Sequence, residues 1–225
     1  MKRLFTILAI LALLPAALPA QESSAPAPAK KKVVVIPIRD QIAPPELYIL
    51  RRGLKTAIEQ GADTVILDME TPGGRLDVTF DMLKAIEKYP GKVVTYINTE
   101  AISAGALISA GTSEIWFAPT AIIGAAAPVS GGGQDIDETM KLKIVSYLKA
   151  RVRAMSGDQE NRAKAISAMI DANYELKFGD EILKPKNELL TLTAKEAMKE
   201  YGDPPKPLLA AGIEPSLESL MDTLL

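Results

Sequence analysis

Ser103 stands in the run Ala101-Ile102-Ser103-Ala104-Gly105-Ala106, where a strand over Val93 to Ile97 is expected to give way to a short apolar helix. A serine hydroxyl at a helix N-terminus lies in the positive end of the macrodipole, which favours a developing alkoxide. The N–H of the next residue, Ala104, is then one of the unpaired donors of the first turn. A second small-residue turn, Thr71-Pro72-Gly73-Gly74-Arg75, follows the expected strand Thr64 to Met69. Gly73 or Gly74, free of Cβ, can aim another N–H at the same oxygen, so the two turns together could supply a nucleophile and an oxyanion hole. Each feature also has an ordinary use, serine as an N-cap and Pro-Gly-Gly as a turn. Their occurrence at successive strand ends is what points to chemistry. Ser109 and Ser113 fall within or after the helix and are placed less well.

Activation of the hydroxyl is constrained by what is missing, because the chain has no histidine and no cysteine. A Ser-His-Asp arrangement is therefore excluded, and so are thiol nucleophiles, disulfides and zinc sites built on nitrogen or sulfur. Lysine is the best remaining base, provided its surroundings lower its pKa from about 10.4 toward the working pH. The helix expected after Asp137 opens with Lys141 and Lys143, and helical phase places Lys141 nearer the apolar face. Lys149, Arg151 and Arg153 read as solvated positions. No cofactor and no metal are expected.

The elements that must position these groups alternate. Val33 to Ile38 is a continuous apolar run of the kind found in a strand covered on both faces. Pro44-Pro45 opens a helix with Leu47, Leu50, Leu54, Ala57 and Ile58 on one face, closed by Gly61. The strand Thr64 to Met69 leads through the glycine turn to a helix with Leu76, Phe80, Leu83 and Ile86 inside. Lys92 to Ile97, the serine turn, a helix to about Ala110 and the strand Glu114 to Phe117 follow. Such alternation implies an α/β fold with a mainly parallel sheet, and functional residues where strands hand over to helices. Thr120 to Gly124 reads as one more short strand and Pro128 to Asp135 as a mobile surface loop near the site. The helix after Asp137 carries Met140, Ile144, Leu148, Val152 and Met155 on one face. A second helix is expected over Asn161 to Ile170, a hairpin over Tyr174 to Lys184, and a capping box at Thr193 to Glu196 before a short helix. A weak helix is expected near Glu214 to Leu225.

Lys2 and Arg3, the apolar run Leu4 to Leu14 and the small residues through Ala20 have the order of a secretory signal peptide over 1–20. Eleven apolar residues are fewer than the roughly 20 needed to span a bilayer. Cleavage after Ala20 would remove Lys2 and Arg3 and take the net charge from -2 to -4. Residues 21–32, rich in Ala, Pro, Ser and Lys, read as a flexible linker, 33–202 as the folded domain, and 203–225 as a Pro-rich segment with a short helix. With 26 basic and 28 acidic residues and no long block of like charge, nucleic acid is not an expected partner.

Asp68-Met69-Glu70-Thr71-Pro72-Gly73-Gly74-Arg75-Leu76-Asp77, then Ala101 to Ala106, then Ala118-Pro119-Thr120-Ala121-Ile122-Ile123-Gly124-Ala125 resemble the NfeD-type membrane-bound serine proteases. These are relatives of the Clp protease proteolytic subunit and of signal peptide peptidase A. The resemblance covers roughly Val33 to Tyr201. It implies a Clp/crotonase-type fold and a Ser-Lys dyad endopeptidase acting outside the cytoplasm, periplasmic or membrane-associated, on hydrophobic segments such as those of stomatin-like proteins. It also implies a homo-oligomer, dimeric or larger. Carried over by motif, Ser103 is the nucleophile and Gly73 and Ala104 supply the oxyanion N–H groups. The family's lysine opens a helix leading to an Ala-aromatic-Ile-Arg-like segment, and Ala150-Arg151-Val152-Arg153 matches that in register with Lys143. That register favours Lys143, whereas helical phase favours Lys141. Arg151 replaces the usual aromatic, and Gly157-Asp158-Gln159-Glu160-Asn161 stands where the family commonly has Gly-Arg-Asn. Longer members continue into membrane helices and a small β-barrel. Two other readings share the paired N–H groups: a catalytically silent module that holds a membrane-protein tail, and a crotonase-type acyl-thioester enzyme, against which the signal peptide argues.

Overall fold

The computed structural model describes residues 31–130 and 136–225. The expected signal peptide and all but the end of the expected linker therefore lie outside the described residues, as do Gly131 to Asp135 of the expected loop. Strand β1 (Val33–Arg39) is followed by helix α1 (Pro44–Gln60). Proline starts α1 where no intrahelical N–H is needed, and Gly61, in left-handed backbone with φ 61°, ends it. Strand β2 (Thr64–Thr71), helix α2 (Leu76–Glu87), strand β3 (Lys92–Ile102) and helix α3 (Ala104–Ala110) come next. Then follow β4 (Glu114–Phe117), β5 (Ile122–Gly124) and the helices α4 (Glu138–Ser156) and α5 (Glu160–Ile170).

The remainder is made of short pieces. A hairpin of β6 (Leu176–Phe178) and β7 (Glu181–Lys184) precedes β8 (Thr191–Thr193) and the four-residue helix α6 (Ala194–Ala197). Strands β9 (Glu200–Tyr201), β10 (Lys206–Pro207) and β11 (Gly212–Ile213) lead to helix α7 (Leu217–Leu224). Both the hairpin and the Thr193/Glu196 capping box form where the sequence places them.

The main sheet runs β1-β2-β3-β4-β11, every pair parallel. Strand β3 is longer than its apolar run suggests, and it changes partners midway. Val94 to Ile97 pair with β4, whereas Glu100 to Ile102 pair with β5, which in turn pairs antiparallel with β8. Two short strands thus share one long strand, and the long one delivers Ser103 at its end.

Buried Ile, Leu, Val, Met and Ala from β1 to β5, α1 to α5 and β8 form one core. The segment after Tyr201 belongs to it as well. β11 pairs with β4, and Leu208, Leu209, Ala210 and Leu220 are buried. Two expected inner-face residues lie outside, Ile58 at 54% and Met140 at 50% exposure. Ile58 stands in the last turn of α1, beyond Ala57, and Met140 in the first turn of α4, before the helix reaches the core at Leu148. Among the described residues no helix is long and apolar enough to cross a membrane.

Candidate active site

Ser103 occupies the single position between β3 and α3, and its backbone is unusual. Its φ of 54° and ψ of -111° put a non-glycine residue in sparsely populated space, at a cost of about 1–3 kcal/mol. The surroundings enforce this geometry. The Ser103 N–H donates to the Gly124 carbonyl at 2.9 Å, tying the residue to the end of β5, while its own carbonyl accepts from Ala106 at 3.1 Å as α3 begins. The ordinary N-cap role is not filled, because the side chain makes no capping hydrogen bond. Ser103 instead lines a cleft of about 790 Å³, together with Gly73, Gly74, Ala126, Ile144 and Leu189 among others.

The glycine turn lies against the serine. A Cβ built on Gly73, whose φ is 112°, would come 2.6 Å from Ser103 Cβ and 3.1 Å from its Oγ. Only glycine allows that approach. Gly74 is pressed from the other side by Ile42, with a hypothetical Cβ 2.2 Å from the Ile42 carbonyl oxygen. Ile42 clamps the turn at both ends, donating to the Gly73 carbonyl at 2.7 Å and accepting from the Arg75 N–H at 2.8 Å. Thr71, fully buried, ties the same turn to the residue after β1. Its hydroxyl accepts from the Gly73 N–H at 3.1 Å and donates to the Asp40 carbonyl. Across from it, Gly105 of α3 leaves room for the Thr71 methyl, which would lie 2.6 Å from a Cβ there.

These bonds sort the oxyanion donors. The Ala104 N–H, in the first turn of α3, has no partner among the described residues, nor does the Gly74 N–H. The Gly73 N–H, in contrast, is held by Thr71. At the rim, Arg75 donates to both carboxylate oxygens of Asp77, at 3.0 and 2.6 Å. That hydrogen bonding holds the Asp77 carboxyl down at about 2, so the pair stays ionised and mutually neutralised. The cleft is otherwise lined mostly by Ala, Pro, Ile, Leu and Val side chains, with Gln41 and Thr79 as further polar residues.

Lys141 and Lys143 lie in the first turns of α4, both exposed, and neither lines the cleft, although Ile144 beside them does. The structure therefore assembles Ser103, Gly73 and Ala104 and leaves both lysines next to the group. Sequence alone does not mark Thr71, Asp40, Ile42 and Gly124 as positioning residues. For Ile42 nothing local signals a clamp that reaches across some thirty residues of chain. Among the described residues there is no cluster of acidic side chains able to hold a metal.

A strained serine at a strand-to-helix turn, with a glycine turn packed on it, stands in a mainly parallel α/β sheet with flanking helices, a fold shared with the solved Clp-like 1510-N structures. The family model for the N-terminal domain of NfeD1b matches residues 32–204, and the chain belongs to that family. It is 34% identical over 170 residues to the membrane protein NfeD1b of Bacillus subtilis, covering 76% of this chain and 37% of that protein. To the membrane-bound protease PH1510 of Pyrococcus horikoshii it is 28% identical over 180 residues, covering 74% and 41%. A solved serine-to-alanine variant of the 1510-N membrane-bound stomatin-specific protease superposes with a TM-score of 0.67 at 25% identity, covering 86% of this chain and 84% of that one. The chain spans about two fifths of the length of these two curated relatives.

Proposed function

We propose that the chain is a serine endopeptidase domain in which Ser103 is the nucleophile and Lys143 the general base. The observation that carries the reading is the Ser103 backbone. A non-glycine residue that lines a cleft is held in strained geometry with its hydroxyl making no cap, against a glycine that cannot carry a side chain. The protease names and the serine variant among the relatives support the same chemistry. Ser103 Oγ attacks the scissile carbonyl carbon as its proton passes to the lysine Nζ. The resulting oxyanion is met by the Ala104 N–H and by an N–H of the glycine turn. Collapse expels the amine, which takes the proton from lysine, and water then hydrolyses the acyl-enzyme through the same base.

An apolar cleft with a neutralised rim suits a hydrophobic segment, in keeping with action on stomatin-like membrane proteins outside the cytoplasm, in the periplasm or at the membrane. Exposed Met140 and Leu142 on α4 are consistent with a homo-oligomer that covers this face. A second reading, a catalytically silent module that holds a membrane-protein tail, is favoured by one observation: neither lysine lines the cleft. Fluorophosphonate labelling followed by intact mass separates the two. The peptidase reading expects one adduct on the wild type and none on Ser103→Ala. An unlabelled, folded wild type would favour the binding module.

A further inference from the structure

The serine cleft has two helical walls that are anchored differently. Leu76, Asp77 and Thr79 of α2 line one side, and Ile144 and Leu148 of α4 line another. Helix α2 starts directly from the glycine turn and buries Val78, Thr79, Met82, Leu83 and Ile86. Helix α4 is exposed from Glu138 to Lys143, half-buried at Ile144 and Val145, and first buried at Leu148. Its opening turns, which carry both candidate bases, project from the core.

Among the described residues, one aromatic contact joins the two walls. Phe80 of α2 and Tyr147 of α4 meet edge to face, with ring centroids 5.3 Å apart and an interplanar angle of 87°. This sets the positive edge of one ring against the negative face of the other. Phe80 is partly buried against the core, whereas Tyr147 is 52% exposed. The fixed ring thus belongs to the wall that grows from the oxyanion turn, and the ring it holds belongs to the projecting helix. Neither ring lines the cleft.

The spacing along α4 ties this contact to one lysine. Residues four apart share a side of a helix, so Lys143 stands one turn, about 6 Å, before Tyr147 on the side turned to α2. Lys141 lies three residues before Ile144 and seven before Leu148, on the stripe directed to the core. Holding the Tyr147 ring fixes how far the first turns of α4 stand from α2, and with them the backbone from which Lys143 extends.

We propose that the Phe80–Tyr147 contact is a latch between the walls of the cleft, and that both rings are positioning residues which hold Lys143 within reach of Ser103 Oγ. The proposal rests on the peptidase reading with Lys143 as the base. Neither ring touches the reacting atoms, so the effect of each must pass through the lysine.

The rate of fluorophosphonate labelling, followed by intact mass on the full chain, tests this in a double-mutant cycle. Tyr147→Ala should slow labelling about tenfold, and Phe80→Leu by a similar factor. Tyr147→Phe keeps the ring and should label at close to the wild-type rate. In a chain that already carries Lys143→Ala, adding Tyr147→Ala should slow labelling by less than about twofold, because the group it positions is gone. Circular dichroism checks that each variant is folded, and Tyr147, at a half-exposed site, keeps the test valid should Phe80→Leu unfold. The proposal fails if Tyr147→Ala labels as fast as wild type, or if Tyr147→Phe is as slow as Tyr147→Ala. It fails equally if Tyr147→Ala slows the Lys143→Ala chain as much as it slows wild type, or if its effect vanishes with Lys141→Ala instead. A wild type that never labels overturns the peptidase reading and this proposal with it, whereas a labelled wild type with unaffected Tyr147 variants overturns the latch alone.

Discussion

The two halves of the proposed dyad are built in opposite ways. On the nucleophile side, Ser103 is fixed by backbone bonds to Gly124 and Ala106, and the glycine turn against it is fixed by Ile42 and Thr71. On the base side, Lys141 and Lys143 stand on an exposed first turn of α4, whose nearest tie is the Asp137 cap on Met140. One half is preorganised and the other is held only by the start of a helix. An oxyanion hole made of main chain has to be rigid, because its donors cannot swing on rotatable side chains. A lysine reaches its partner through four methylenes and can be recruited when substrate fills the cleft.

The sharpest way to break this comparison is to remove the nucleophile. Ser103→Ala should abolish labelling and lower peptide cleavage by about 10⁴-fold or more. Gly73→Ala comes next. Its Cβ would collide with the Ser103 side chain in backbone that disfavours any side chain, so the glycine turn and Ser103 should be pushed out of register, costing about 100- to 1000-fold in kcat, read by steady-state kinetics, together with a lowered melting temperature. Lys143→Ala should cost about 100-fold or more in the labelling rate and Lys141→Ala less than threefold. The reverse order would move the base to Lys141.

Thr71→Val should lower kcat about tenfold with KM little changed, and Thr71→Ser should restore it, since the hydroxyl that orders Gly73 returns. The smallest effect is expected in α4 beyond its first turns. There Lys149 pairs with Asp171 at 2.7 Å, both side chains about one fifth exposed. Burial works to raise the Asp171 carboxyl, but the hydrogen bonds from Lys149 and the Asn173 N–H outweigh it and hold it below its ordinary value. The pair's contribution is therefore complete above about pH 4 and fades as the pH falls below it. Lys149→Ala should cost about 1 kcal/mol at neutral pH, visible in urea unfolding and absent from the labelling rate.

How much of this was readable in the sequence differs between the same two halves. The serine and glycine turns announce themselves because close main-chain approach demands small residues, and small residues are visible as letters. The base is not, because any lysine on a helix looks like any other. The apolar run of β3 ends at Ile97, where Asn98, Thr99 and Glu100 break it, yet the chain stays extended to pair with β5. Polar residues there follow from a strand that leaves the core on its way to the cleft. The two- and three-residue strands β8 to β11 carry no periodicity to detect, being set by their partners rather than by their own composition. Ile42 reaches the glycine turn through tertiary geometry alone.

The pairing of β11 with β4 also bears on how the chain matures. Sheet neighbours Phe117 and Ile213 are nearly a hundred residues apart, and the buried leucines at 208, 209 and 220 arrive with the later strand. Contacts of such long sequence separation form slowly. In a chain emerging amino end first, the residues around Ser103 appear long before the strand that completes their sheet, which delays assembly of the domain until nearly all of it has been delivered.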